Sequence, residues 1–139
     1  MLDGFVKIPY LSGSSFLSVT TNGLNFSGIA VFHMQKPAYV NLFLNEEAKQ
    51  IAIQKCNKNA EDAIQFYRNE KNLKIGVRFN NREILQMVVR LMGWDLSSFN
   101  YKIEGVYNEE EQAMFFDLNN VRKTPKKPRK KRNEEENNY

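Results

Sequence analysis

The sequence predicts an α+β domain, a mainly antiparallel sheet of about six strands with two or three helices packed on one face. Three observations carry that prediction. Two stretches of mixed apolar and polar residues are each interrupted by Asn-Glu-Glu, at Asn45-Glu46-Glu47 and at Asn108-Glu109-Glu110, and read as β-hairpins, whose short turns demand antiparallel pairing. Asn22-Gly23 stands between two further short apolar stretches, which is turn or bulge chemistry. Ile84, Leu85, Val88, Leu91 and Met92 recur on one helical face.

Each element follows in order. Residues 1–14 form an N-terminal arm without periodicity. "SFLSVTTNGLNF" predicts two short strands around Asn22-Gly23. Ser27 is the expected helix cap, and Ile29, Val31, Phe32 and Met34 make a short apolar helical run that ends before Pro37. "YVNLFLNEEAKQIAI" is the first hairpin. Within "NAEDAIQFYRNEK", Ala60, Ala63, Ile64 and Tyr67 suggest a short connecting helix. Gly76 to Phe79 reads as a strand. Asn80 followed by Glu83 fits a capping box at the start of the strongest helix, which Gly93 stops. "YKIEGVYNEEEQAMFF" is the second hairpin.

Glycine-led strand, helix and Asn-Glu-Glu hairpin occur twice in the same order. Two degenerate strand–helix–hairpin repeats, over 16–55 and 73–118, are therefore expected inside a single domain spanning 15–122. A chain of 139 residues has room for one core of this kind.

Charge is unevenly placed. Up to Arg122 the chain carries thirteen basic and thirteen acidic side chains, so the body is formally neutral. The net charge of +4 arises in "KTPKKPRKKR", Lys123 to Arg132, which holds seven cations and precedes Glu134, Glu135 and Glu136. Residues 123–139 are expected to form a disordered tail, basic and then acidic, because Pro125 and Pro128 prevent a regular helix and no apolar residue could offset ordering. A mobile polycation binds polyanions by counterion release, without sequence preference. The plainer alternative is a solubilising tail.

The chemistry of catalysis is not visible. No phosphate-binding loop, no dinucleotide fingerprint and no zinc-protease or hydrolase motif occurs, and one His and one Cys exclude most nucleophile schemes. His33 has no ligand-spaced neighbours, so neither a metal nor a cofactor is expected. Cys56 reads as a packing residue, and as a lone cysteine it cannot close an internal disulfide. No apolar run reaches the ~18 residues of a membrane span. A cytoplasmic protein that is not an enzyme and has no membrane partner is expected.

The candidate nucleic-acid contacts are Lys126, Lys127, Arg129, Lys130, Lys131 and Arg132 in the tail, with Arg78, Arg82 and Arg90 in the body. The expected partner is DNA or RNA, with the body expected to supply shape or a homodimer interface. The competing reading is an inhibitor or adaptor that binds a host defence or replication protein through acidic hairpin tips, Glu46, Glu47, Glu109 and Glu110.

"GLNFSGIAVF…AYVNLFLNEEAKQIAI", within Phe16 to Ile53, resembles small, mostly uncharacterised α/β proteins of phages and mobile elements of low-GC Gram-positive bacteria. The resemblance implies a bacterial, element-encoded setting and carries over no functional residue.

Overall fold

The computed structural model describes residues 2–5, 15–68 and 76–126. It contains eight strands: β1 (Phe16–Thr20), β2 (Gly23–Phe26), β3 (Tyr39–Asn45), β4 (Gln50–Lys55), β5 (Ile64–Gln65), β6 (Val77–Phe79), β7 (Phe99–Asn108) and β8 (Ala113–Pro125). Two short helices interrupt them, α1 (Gly28–His33) after β2 and α2 (Arg82–Met92) after β6. All eight strands belong to one sheet in the order β5-β3-β4-β8-β7-β1-β2-β6, and every pairing is antiparallel.

The sheet is strongly curled, and ring contacts show it. Strands sit ~4.8 Å apart, so the edges of a flat eight-stranded sheet would be about 34 Å from each other. Yet Phe66, next after β5 at one edge, meets Phe79 of β6 at the other with ring centroids 5.6 Å apart. Phe26 of β2 touches Phe116 of β8 at 5.6 Å although β7 and β1 lie between them. The inner face therefore wraps one core, in which Leu17, Val19, Phe26, Ile53, Ile103, Phe116 and Leu118 are almost wholly buried.

This corrects the expected architecture of about six strands, two or three helices and two repeats. The strand missed is β5, where a connecting helix was expected. Asp62 adopts φ 58°, a left-handed conformation that breaks a helix, and the apolar residues that count are Ile64 and Phe66, which alternate toward the core as strand residues do. The repeat description fails because β1 has no counterpart in the second half and β5 lies outside both halves. A local match does survive in the hairpins. Asn45 Oδ1 accepts from the Ala48 amide at 2.9 Å and Asn108 Oδ1 from the Glu111 amide at 3.1 Å, and Lys49 and Gln112 close the turns at φ 58° and 52°. The two hairpins also clasp each other: Lys55 N donates to Gln112 O, and Leu118 N donates to Lys49 O.

Two local expectations change as well. The cap of α2 is Asn81, whose side chain accepts from Ile84 N at 3.1 Å; Asn80 lies one residue outside, and Glu83 sits in the first turn, where a negative charge suits the helix dipole. Ser27 caps α1 as expected, and its Oγ accepts from Phe16 N as well as from Ala30 N. Strand β8 runs on through Lys123, Thr124 and Pro125, which pair with Phe99 to Tyr101. The first three residues of the expected tail thus belong to the sheet. Among the described residues no helix is long and apolar enough to cross a membrane.

Candidate nucleic-acid interface

Strand alternation decides which side chains leave the core. On β1, Leu17 and Val19 are buried, so Phe16, Ser18 and Thr20 face outward. On β7, Tyr101 and Ile103 are buried and Lys102 and Glu104 face outward. The pairing register then builds a row across five strands. Arg122 lies opposite Lys102, Lys102 opposite Ser18, Ser18 opposite Asn25, and Asn25 opposite Arg78. Arg78 Nε donates to Asn25 Oδ1 at 2.8 Å, which fixes the guanidinium over the row. The row spans four strand steps, ~19 Å. Among the described residues no carboxylate pairs with Lys102, Arg122 or Arg78.

Beside the row the sheet is irregular. Ile103 pairs with Val121 and Gly105 with Phe116, so β7 spends one residue, Glu104, where β8 spends four, Asp117 to Asn120. Asp117 Oδ1 accepts from the Asn119 amide and side chain, at 3.0 and 3.2 Å, holding this bulge. The displaced strand leaves a shallow cleft of about 240 Å³ lined by Phe16, Lys102, Glu104, Asn120, Val121 and Arg122. Lys102 Nζ stands 4.7 Å from the centre of the Phe16 ring. Beyond Asp117, β8 pairs only with β7, and the strand carries Arg122 and Lys123 toward Lys126.

The other half of the outer face has different chemistry. Phe43, Ala52, Phe115 and Val106 form one cross-strand row, and Phe43 and Val106 are 49% and 68% exposed. Asn41, Asn45, Gln50 and Gln54 flank it, all neutral amides. A cleft of about 370 Å³ opens over Ala52.

The candidate residues do not converge as the sequence grouped them. Arg78 is on the outer face, whereas Arg82 and Arg90 are exposed on α2, whose Leu85 and Val88 pack into the core from the inner side. Lys126 is placed, its amide donating to Ser98 O at 2.9 Å. Lys127, Arg129, Lys130, Lys131 and Arg132 lie outside the described residues. The acidic tips are separated: β4 and β8 are antiparallel and each tip precedes the start of its strand, so Glu46 and Glu47 stand at one end of the sheet and Glu109 and Glu110 at the other. They make no common surface. Sequence reasoning missed Lys102, Arg122 and Phe16 as a group, because only the register aligns them.

Other reactive groups are structurally occupied. Ser15 Oγ and His33 Nδ1 are 2.8 Å apart, but Ser15 is buried and no carboxylate orients the other ring nitrogen among the described residues. Burial pushes the Cys56 thiol up, away from reactivity. Among the described residues no group of side chains could hold a metal ion. No family model, curated protein or solved structure matches this chain.

Proposed function

We propose that this protein binds nucleic acid through its phosphates, in the phage or mobile-element setting that the resemblance implies. The fixed part is the outer-face row of Arg122, Lys102 and Arg78. The extension is the basic sequence that follows β8, Lys126, Lys127, Arg129, Lys130, Lys131 and Arg132. The observation that carries the reading is the alignment of those three body cations on one solvent-facing side of a body that is formally neutral up to Arg122. Cations in a neutral body need no common face for solubility; a polyanion needs one. Ser18 and Asn25 between them offer neutral hydrogen-bond groups to the same ligand.

Each phosphate neutralised releases counterions and steepens the salt dependence, log K falling by about 0.9 per contact for a duplex and about 0.7 for a single strand. Titrating the full chain with duplex DNA, single-stranded DNA and RNA over a range of salt tests the reading. Binding at low ionic strength that weakens steeply with salt is expected for at least one of them. Failure to bind all three at low salt overturns it.

A further inference from the structure

The cleft at the β8 bulge differs from the rest of the cationic row. Phosphate binding alone needs neither a ring nor a carboxylate, and a carboxylate beside two cations opposes it. Yet Phe16 and Glu104 face each other across β1 and β7 at the edge of the row and line the same cleft as Lys102 and Arg122. Resting on the nucleic-acid reading above, we propose that this cleft holds one unpaired, amino-bearing base of a single-stranded nucleic acid.

The parts divide the work. Lys102 and Arg122 take the flanking phosphates. Phe16 offers its ring as a stacking surface, which any base can use. The Glu104 carboxylate only accepts hydrogen bonds, so it suits an exocyclic amine such as that of cytosine or adenine, whereas the one donor on the pairing edge of thymine or uracil, N3–H, lies between two carbonyls that repel a carboxylate. Asn120, on the bulge, can donate or accept at the base edge. A base pair conceals its Watson–Crick edge inside the duplex, so only an unpaired base can present it here. In the free protein Lys102 Nζ covers the ring. An exposed cation–π contact is weaker than a base–aromatic stack, so the base displaces the ammonium, which then reaches a phosphate.

Competition titrations with the full chain, using oligo(dC), oligo(dT) and a duplex of equal length, test this. Wild type should prefer oligo(dC) to oligo(dT). Phe16→Ala should weaken both single strands about tenfold while leaving the duplex unchanged. Glu104→Gln, an exposed substitution that leaves packing intact, should level oligo(dC) and oligo(dT), because an amide both donates and accepts. Equal binding of the two oligomers by wild type, or loss of duplex and single-strand affinity together in Phe16→Ala, overturns the base subsite while the phosphate reading stands. Absence of binding to every nucleic acid overturns both.

Discussion

Phe66 and Phe79 meet edge to face, with ring centroids 5.6 Å apart, although they belong to opposite edges of the sheet. Both rings also contact Phe26, at 5.5 and 5.6 Å, so three phenylalanines hold the curl where no backbone hydrogen bond joins the edges among the described residues. Phe66→Ala should destabilise the fold by about 3–5 kcal/mol, the cost of a core phenylalanine together with the cavity it leaves. Urea denaturation measures it. A loss within the range of a surface substitution would mean the edges do not close on each other.

Gly23 should tolerate no side chain. Its φ is 119°, and a Cβ would lie 2.2 Å from the carbonyl oxygen of Phe79, a backbone atom in the paired strand β6. Gly23→Ala is expected to cost about 3 kcal/mol or more, from strain and from separating β2 and β6. The denaturation midpoint reads the effect, and an unchanged midpoint contradicts the β2–β6 pairing.

Asp95 organises the turn after α2. Its Oδ1 accepts from the Ser97 amide and hydroxyl, while its own amide donates to Tyr101 Oη at 2.9 Å. The Ser97 hydroxyl first, and the Ser98 hydroxyl next, hold the carboxyl below its ordinary pKa. A pKa lower in the folded than in the unfolded state gives stability that is complete above the unfolded carboxylate value and is lost as pH falls through the folded one. The stability difference between wild type and Asp95→Asn should therefore shrink on acidification. A difference independent of pH would show that the carboxylate charge is not what the serines recognise.

The folded body continues past Arg122 at least to Lys126. Lys123 to Pro125 pair with β7, Lys123 Nζ lies 4.2 Å from the Phe99 ring centre, and Lys126 N donates to Ser98 O. A chain ending at Lys126 keeps all of these contacts. One ending at Arg122 should lose about 1–3 kcal/mol, having given up several strand hydrogen bonds and the cation–π contact. Equal midpoints for the two truncations would place Lys123–Pro125 outside the sheet.

What was legible in the sequence was local. The Asn-Glu-Glu turns could be read because Asn45 and Asn108 bond to amides three residues on, and the α1 cap because Ser27 does the same. Strand β5 could not: two residues are too few for alternation to show, and Ala60, Ala63, Ile64 and Tyr67 imitate helical spacing. The curl depends on contacts such as Phe26 with Phe116, far apart in the chain, and so does the site. Arg122, Lys102 and Arg78 become neighbours in one row only through four strand registers and a bulge. Single charges scattered through a neutral body carry no pattern until the strands are paired.

The central claim is that three cations from separate strands bind one polyanion together. Its most direct measurement is the salt slope of nucleic-acid affinity for the full chain and for the triple variant Lys102→Ala, Arg122→Ala, Arg78→Ala. These side chains are exposed, so the variant should fold normally. The row predicts a lower affinity and a log–log slope shallower by roughly 2–3, the share of three phosphate contacts. An unchanged slope and affinity in the folded variant would contradict it and leave any binding to the basic sequence beyond β8.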